Sequence, residues 1–313
     1  MKDKKYFDNN YFSDKLFISY QKEYYNQKSE LCEYFLSIEN KEIYFLYTLT
    51  KITDINYKIS FFSLPVRILC KKYLSLRDIN KIKLNLLKIY DTKNIDFSFS
   101  FLIDQEQINL EKLKKINPLS IEETQQIDLN LSEQQILTNM KYNHRREIKK
   151  VYKHIELKSK IIDYKNFNDN ILLEMKLMHK RVAGKKTRPD ITWEIMGEMV
   201  KEKKAFLVTI ELDTKPISFS FFFHNKVKMS YFSSVTHREF FNLGGINHMS
   251  LWEAIKFAKN NIKLKKFDIG VTNYLLSRYE NTKNEKEKNI SFFKSRFCGK
   301  KTVQVIIDKD SSI

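Results

Sequence analysis

The chain has 313 residues, and 56 Lys and Arg against 38 Asp and Glu give it a net charge of +18. Only 6 residues are Gly and 4 are Pro, whereas 42% are hydrophobic, and this composition excludes collagen-like, linker-like and intrinsically disordered chains. The sequence has no run of 18 apolar residues, no signal-peptide pattern and three Cys without metal-type spacing, so we expect a cytoplasmic protein with reduced thiols.

The first half of the chain predicts a hairpin, a third strand, a helix and a fourth strand. Apolar and β-branched residues on either side of a polar turn predict the hairpin at Tyr34–Thr50, and Tyr57–Leu64 predicts the third strand. Ser75–Asp78 resembles a capping box, and apolar residues at helical spacing follow it as far as Tyr90. Apolar and polar residues then alternate over Ile95–Ile103, which is typical of a strand with one buried face.

The middle of the chain predicts a helical connector with a basic surface. Ser132 and Gln135 form a second capping-box pattern, which begins an apolar stripe at Leu137, Met140, His144, Ile148 and Val151. From Lys141 to Lys160 there are eight basic and two acidic residues. Two further helices are predicted, at Asn168–Ala183 and Thr192–Lys201. Since His144 falls on the apolar stripe, we interpret it as a packed core histidine.

The second half repeats the order of the first, at an offset of about 170 residues. The strands of this repeat are Ala205–Leu212, Ile217–His224, Val227–Ser234 and Lys266–Gly270, with a helix between the last two whose apolar face runs from His248 to Ile262. The apolar-free stretch Asn281–Asn289 predicts a mobile loop, and a final strand follows near residue 302. We therefore expect an α+β chain with mixed sheets flanked by helices, divided into an N-terminal half at 1–125, a connector with a basic loop at 126–203 and a C-terminal half at 204–313.

Three segments carry residues suited to chemistry, and each also has a purely structural interpretation. Gly244 and Gly245 precede a helix, where backbone amides and the helix dipole favour an anion, although a plain loop has the same pattern. The basic loop His179–Trp193 could hold phosphate or carboxylate groups or could simply be solvated. In the segment ISFFKSRFCGK, Lys294 is either a placed cation or an outward residue on an amphipathic strand.

Several common classes of active site are not supported. The six histidines show no HxH, HxxxH or HExxH spacing, and no Cys/His set resembles a zinc site, so we expect no metal. The sequence contains no P-loop, no GxSxG and no GxGxxG motif. A kinase and a hydrolase triad are therefore not indicated.

Taken together, four segments resemble one family. They are VAGKKTRPDITWE, YFSSVTHREFFNLGG with the following LWEAIKFAK, FDIG, and ISFFKSRFCGK. This combination is similar to the FemAB-type branch of the GNAT acyltransferase superfamily, which includes the aminoacyltransferases of peptidoglycan bridge synthesis. The resemblance is good over roughly residues 125–305 and is one of pattern over 30–125. It implies two tandem GNAT-like domains, in agreement with the repeat.

The resemblance also implies roles for particular residues. The lysine of the Phe293-Lys294 pair would lie at the acyl-transfer centre, and the strand around Tyr231 would offer a backbone amide to the acyl carbonyl. Asp268 is the candidate that holds or deprotonates the amine, although a turn-capping Asp beside Gly270 fits as well. The candidate cofactor-binding residues are Arg238, Gly244, Gly245 and Asn247. The candidate substrate-binding residues are Lys185, Lys186, Arg188 and Trp193.

The loop Val235–Gly245 departs from the usual GNAT pattern V-x4-[QR]-x-x-G-x-[GA]. Arg238 comes too early, and Asn242 stands two residues before Gly244. FemAB-type enzymes that use charged tRNA share such degeneration, so two donors stay open.

Three hypotheses follow for function. The first is an N-acyltransferase that transfers an acyl group from acyl-CoA, with acetyl-CoA as one candidate, to an amino group of a lipid-linked or nucleotide-linked cell-envelope precursor or of an amino sugar. The second keeps the fold and takes aminoacyl-tRNA as the donor, for which the basic stretch Lys141–Lys160 is suited. The third is a non-catalytic protein that binds nucleic acid or an anionic surface. The net charge alone does not separate them, because Lys, Asn, Ile, Phe and Tyr are also the residues of A/T-rich codons.

Overall fold

The computed structural model describes residues 11–90, 95–103, 110–278 and 285–312. The chain divides into two compact units. The first comprises Met1–Thr124, Val271–Phe292 and Lys301–Ile313, and the second comprises Gln125–Gly270 and Phe293–Lys300. The connector predicted at 126–203 thus lies within the second unit, while the segment predicted as the C-terminal half, 204–313, contributes to both.

The first unit contains the predicted elements in the predicted order, together with helices at 15–24 and 110–115 and short strands at 66–67 and 69–70 that were not predicted. In chain order its elements are α1 (Lys15–Tyr24), β1 (Leu31–Ile38), β2 (Lys41–Lys51), β3 (Tyr57–Ser60), β4 (Val66–Arg67), β5 (Leu69–Cys70), α2 (Leu76–Tyr90), β6 (Ile95–Ile103) and α3 (Leu110–Lys115). The predicted hairpin, capping box, helix and alternating strand are confirmed, with the Asp78 amide donating to Ser75 Oγ at 3.2 Å. The third strand is shorter than predicted. It stops at Ser60 because Phe62 and Ser63 adopt left-handed φ angles of 48° and 70° in a tight turn.

The second unit holds the remaining central elements, except for residues 120–124 of β7 and 271–277 of β12, which belong to the first unit. The strand β7 (Ser120–Asp128) leads into α4 (Glu133–Asn139), α5 (Tyr142–Val151), β8 (Leu157–Ile162), α6 (Asp169–Ala183), α7 (Asp190–Lys201), β9 (Ala205–Leu212), β10 (Lys215–His224), β11 (Lys228–Thr236), α8 (Ile246–Phe257) and β12 (Lys266–Ser277). Its strands are hydrogen-bonded in the order β12-β11-β10-β9-β8, and a single core fills the space between this sheet and helices α5 and α8.

The connector stripe, predicted as one continuous face from Leu137 to Val151, is split over two helices. The chain breaks at Met140 and Lys141, whose ψ angles of 153° and 146° are extended. The capping box at Ser132 and Gln135 is confirmed. The burial predicted for His144 is also confirmed, since only 4% of the residue is exposed.

The C-terminal elements are α9 (Glu285–Ser295) and β13 (Lys300–Asp308). The loop predicted at Asn281–Asn289 is wrong for residues 285–289, which are the first turns of α9; residues 281–284 lie outside the described residues. Glu285 and Glu287 stand in the first turn of this helix, where a carboxylate is favourable to the helix dipole. Within the described ranges, no helix is long and apolar enough to cross a membrane.

The two units share one motif. In the first, β3 pairs in parallel with β6 after the crossover helix α2. In the second, β11 pairs in parallel with β12 after the crossover helix α8. Each unit also begins its repeat with an antiparallel hairpin, β1–β2 or β9–β10. The repeat inferred from pattern alone is therefore present in the fold.

Candidate active site

The candidate site lies where the two parallel strands of the second unit cease to pair. β11 and β12 are in register over only three pairs, the last of them Ser230 with Asp268. Two residues further on, β11 carries a bulge, because Phe221 opposes Ser233 while Phe222 opposes Tyr231, which leaves Phe232 extra. A bulge bends its strand and interrupts the ladder. The ladder between β11 and β12 ends directly before Tyr231 and Ile269.

Lys294 contacts both strands at this point. Its Nζ lies 5.8 Å from the centroid of the Tyr231 ring. On the other strand, Nζ is 3.4 Å from the position that a Cβ on Gly270 would take. Lys294 thus lies at the fork of the sheet, by which we mean the place after Ser230 and Asp268 where β11 and β12 cease to pair. It is on helix α9, whereas the structural interpretation of the sequence had placed it on an amphipathic strand.

The charge on Lys294 is poorly solvated. Burial lowers the pKa of its ammonium below the ordinary lysine value, and the negative charge of Asp268 opposes that change. Among the described residues the ammonium has no carboxylate within ion-pair distance and no hydrogen-bond acceptor. A poorly solvated ammonium of this kind can stabilise a negative charge that develops during a reaction.

Asp268 occupies the turn that closes the paired part of β12. Its Oδ1 accepts a hydrogen bond from the Gly270 amide at 3.0 Å, and its Oδ2 lies 3.4 Å from Lys228 Nζ. The turn-capping geometry that the sequence also allowed is thus present. One carboxylate therefore fixes the turn and adds negative charge beside Lys294.

The Tyr231 side chain is held in place by contacts with its neighbours. Its ring stacks on Phe222 with centroids 5.5 Å apart, and its hydroxyl donates to Ser234 Oγ at 2.5 Å. Burial raises the pKa of the phenol, so it stays neutral over the ordinary pH range. The ring presents its face to the Lys294 ammonium, a favourable cation–π geometry.

Helix α5 holds the segment that carries Lys294. His144 Nε2 lies 2.9 Å from the Phe293 carbonyl oxygen, and the Lys141 amide donates to the Arg296 carbonyl at 3.0 Å. Sequence reasoning missed this function of His144, because 149 residues separate the two partners. No local spacing could have revealed it.

Gly299 fixes the other end of the same segment. A Cβ at this position would lie 2.6 Å from the backbone carbon and oxygen of Gln126, so only glycine permits the approach. Its amide also donates to the Gln125 side-chain oxygen at 3.2 Å. The segment is therefore tied to its own unit on both sides of Lys294.

The predicted cofactor loop is packed more tightly than an open phosphate cradle. A Cβ on Gly245 would lie 2.9 Å from both the Glu147 carbonyl oxygen and Val151 Cβ. A Cβ on Gly244 would lie 3.2 Å from the Glu147 carboxylate. Helix α5 thus fills the space beside the glycine pair and brings two opposite charges there, the Glu147 carboxylate and the Lys150 ammonium, whose Nζ would lie 3.8 Å from a Cβ on Gly244. The glycines permit this close packing of the loop on α5, and their binding of a cofactor stays a prediction.

The other two predicted cofactor-binding residues are engaged within the protein. Asn247 Oδ1 accepts a hydrogen bond from Thr236 Oγ1 at 2.9 Å and so ties the start of α8 to the end of β11. Arg238 is exposed, and its guanidinium donates to the Val182 carbonyl at 2.7 Å. Neither contact brings these side chains to Lys294.

The predicted substrate-binding loop is anchored on β11. The Arg188 guanidinium stacks 4.5 Å from the centroid of the buried Trp193 ring and donates to Ser233 Oγ at 2.8 Å. Ser233 is two residues beyond Tyr231, so the loop and the fork share one strand. Lys185 and Lys186 are exposed, and Lys186 pairs with Asp190 at 2.9 Å.

Comparison with solved structures identifies the fold. The chain is similar to FemX, with a TM-score of 0.59 and 9% identity over 91% of this chain and 90% of that one. It is also similar to the C-terminal domain (DUF2156) of an Agrobacterium fabrum protein described as a lysylphosphatidylglycerol synthetase, with a TM-score of 0.52 and 10% identity over 87% of this chain and 84% of that one. A conserved protein of unknown function from Bacteroides thetaiotaomicron matches with a TM-score of 0.53 and 8% identity, over 96% and 90% of the two chains.

No family model matches the chain, and no curated protein matches it. The similarity is therefore one of structure, and the resemblance found in the sequence is confirmed at the level of fold. The chain has a FemX-like fold, formed by two α+β units.

Proposed function

We propose that this protein is an N-acyltransferase whose reaction takes place at the fork between β11 and β12. The observation that carries the proposal is the position of Lys294 between Tyr231 and Gly270, as a partly desolvated ammonium that has no carboxylate within ion-pair distance in the described part of the chain. Such a cation is costly to bury, so its retention favours a role in chemistry.

The reaction we propose is aminolysis of an activated acyl ester or thioester. The acceptor nitrogen attacks the acyl carbonyl carbon, a C–N bond forms, and the carbonyl oxygen becomes an oxyanion. When the tetrahedral intermediate collapses, the bond to the thiol or hydroxyl leaving group breaks, and the proton lost by the amine balances the charge on that leaving group. Asp268 is our candidate to hold the amine or to take its proton.

Lys294 stabilises the oxyanion in this scheme. In this scheme the acyl carbonyl lies between the Lys294 ammonium and the backbone amide of Tyr231. Loss of one oxyanion donor in other acyl-transfer enzymes costs about 3 kcal/mol of transition-state stabilisation, roughly a hundredfold in rate. The neutral ring of Tyr231 excludes water from the same place and keeps the electrostatic interaction strong.

We propose acyl-CoA as the donor and an amino group of a cell-envelope precursor or amino sugar as the acceptor. The cell-envelope class of acceptor is supported by fold-level analogy with the protein described as a lysylphosphatidylglycerol synthetase, a name that denotes a membrane-lipid product. The exposed Lys185 and Lys186 suit an acceptor that carries phosphate or carboxylate groups. Since the glycine pair is closed by α5, no step here depends on donor phosphates at Gly244 and Gly245.

The test is an assay of thiol release from acetyl-CoA in the presence of a panel of amino sugars and nucleotide-linked amino sugars. The expected result is release that depends on one class of acceptor, with a product heavier by one acetyl group. Absence of transfer with acyl-CoA and with aminoacyl-tRNA, in a sample that is folded, would refute the function.

A second donor, aminoacyl-tRNA, is favoured by one further observation. Helix α5 and the turn after it expose Arg146, Lys149, Lys150 and Lys153 to solvent. Binding to phosphates releases counterions from the nucleic acid. For each phosphate contact, the logarithm of the association constant therefore falls by about 0.7 to 0.9 for every tenfold increase in salt concentration. If tRNA is the donor, changing Lys149 and Lys150 together to Glu reduces the salt slope by about 2, by the same rule.

The matched control changes two exposed lysines of the same unit, Lys215→Glu at the start of β10 with Lys226→Glu between β10 and β11. An equal loss of tRNA affinity in both double variants would show that net charge alone governs binding. Binding of nucleic acid without any transfer, unaffected by Lys294→Ala, would instead favour a non-catalytic binding protein.

A further inference from the structure

Four aromatic rings form a cluster, and two of them belong to the segment Phe293–Phe297 that contains Lys294. They are His144 on α5, His248 on α8, Phe293 at the end of α9, and Phe297. The ring centroids of His144 and His248 are 4.3 Å apart, and His144 lies 4.7 Å from Phe297 and 5.2 Å from Phe293. His248 lies 4.9 Å from Phe293. Both histidines therefore pack against the residue that directly precedes Lys294.

Within this cluster the two histidines are hydrogen-bonded in series. His248 Nε2 lies 3.3 Å from His144 Nδ1, and His144 Nε2 lies 2.9 Å from the Phe293 carbonyl oxygen. We propose that His248 and His144 form a positioning relay that holds the end of α9 and thereby fixes Lys294 at the fork of the sheet. The inference rests on the proposed function, in which Lys294 acts on the acyl carbonyl.

The direction of the relay follows from the chemistry of its acceptor. A carbonyl oxygen can only accept, so His144 Nε2 carries the hydrogen. In a neutral imidazole the other nitrogen is then an acceptor, and His144 Nδ1 accepts from His248 Nε2. Each ring thus has one tautomer, and the hydrogen bonds point from α8 through α5 to α9.

The relay is uncharged near neutral pH. Burial lowers the pKa of His144, and the nearby charge of Arg296 lowers it further, while Glu147 and the bond to Phe293 act in the opposite direction. Burial and the neighbouring His144 lower the pKa of His248 to about 3. Two neutral rings hold a backbone carbonyl without repelling the ammonium of Lys294, which a histidinium would do.

The carbonyl that the relay holds belongs to a helix end. The last carbonyls of a helix lack intrahelical partners, and the Phe293 carbonyl otherwise accepts only a 3.3 Å bond from the Arg296 amide within the described residues. Without His144 this turn would fray more easily. Because Lys294 is the next residue, fraying would move its ammonium toward water and raise its pKa toward the ordinary value.

The experiment separates hydrogen bonding from packing at one position. His144→Phe keeps an aromatic ring and removes the hydrogen bond, whereas His144→Gln keeps a donor near the Nε2 position and removes the ring. The pKa of Lys294 is measured as the pH dependence of trace acetylation by acetic anhydride, read by peptide mass spectrometry. His224→Gln is the matched control, since His224 is also buried but bonds to the Asn225 carbonyl.

The relay predicts that His144→Phe raises the pKa of Lys294 by about 1 unit and lowers kcat about tenfold with little change in KM. His144→Gln retains the wild-type titration, and His224→Gln has no effect. A folded His144→Phe variant with the wild-type labelling profile would overturn the relay. If His144→Phe does not fold, His248→Phe decides in the same assay, and an unchanged profile there overturns the relay equally.

The two experiments distinguish failure of the relay from failure of the proposed function. Unchanged transfer in Lys294→Ala would refute the function, even if the labelling shift of His144→Phe were present. Loss of transfer in Lys294→Ala together with normal labelling in His144→Phe would refute the relay alone.

Discussion

The ammonium of Lys294 lies 5.8 Å from the centroid of the Tyr231 ring, at the residue where β11 ceases to pair with β12. A cation over an aromatic face gains roughly 0.5 to 2 kcal/mol, depending on how far it is desolvated. The same face keeps the ammonium from finding water on that side. This pair therefore joins the end of the paired part of β11 to the residue that we propose acts on the acyl carbonyl.

Removing the charge of Asp268 should shift the pH dependence of transfer. Asp268 raises the pKa of Lys294, so in Asp268→Asn that pKa falls further below the ordinary lysine value. If the ammonium is the active form, the rate declines at lower pH in the variant than in the wild type. The pH profile of kcat measures this, and Asp213→Asn in the exposed β9–β10 turn is the control. An alkaline limb that does not move, or that moves upward, would contradict the role of the Lys294 charge.

Replacing Lys294 by Met should stabilise the fold while it abolishes transfer. The folded-state pKa of Lys294 lies below the unfolded value, so wild-type stability rises with pH between those two values. Met removes the desolvated charge and that pH dependence together, with a gain of at most about 1 kcal/mol at neutral pH. Urea unfolding at two pH values measures both effects. Lys288→Met, on the exposed part of α9, should change neither; a destabilised Lys294→Met would argue that the charge is structural.

Gly299→Ala should be strongly destabilising. Its Cβ would lie 2.6 Å from the Gln126 backbone, which cannot retreat as a flexible side chain does. Overpacking of this kind costs about 1 to 3 kcal/mol. Gly184→Ala is the comparison, since its Cβ would meet nothing within 4 Å and only the φ of +70° opposes it. Thermal unfolding that ranks Gly184→Ala as the more damaging change would show that the close approach at Gly299 is not essential.

Two residues of the basic loop have different roles in this account: Arg188 anchors the loop on β11, and the exposed Lys185 contacts the acceptor. Arg188→Lys loses the stacking on Trp193 and the fork-shaped donor, so we expect about 1 to 2 kcal/mol less stability. Lys185→Ala removes an exposed side chain, and we expect a raised KM for an anionic acceptor with an unchanged melting temperature. Equal melting temperatures for all three proteins would show that Arg188 does not anchor the loop.

The sequence predicted the fold well wherever local patterns determine an element. The alternation over Ile95–Ile103 reproduces β6 from end to end, and the two capping boxes mark real helix starts. The break between α4 and α5 was not predictable, because neither Pro nor Gly stands at Met140 and Lys141. There the chain turns to bring the Lys141 amide to the Arg296 carbonyl, a contact set by tertiary structure.

The site was predictable only in part. The resemblance located Lys294, Tyr231 and Asp268, and the structure brings these three residues together in the second unit. His144 and His248 are 104 residues apart, and nothing in their spacing links them to Lys294. The glycine pair suggested a phosphate cradle, but glycine also permits close helix packing, and the packing of α5 against Gly244 and Gly245 was not visible in the sequence.

The measurement that tests the central claim most directly is the transfer rate of Lys294→Ala beside that of Lys288→Ala, with the donor and acceptor on which the wild type is active. Both lysines are on α9, and Lys288 is exposed. We predict a loss of about a hundredfold in kcat for Lys294→Ala and an unchanged rate for Lys288→Ala. Equal rates in the two variants would contradict the assignment of the fork between β11 and β12 as the acyl-transfer centre.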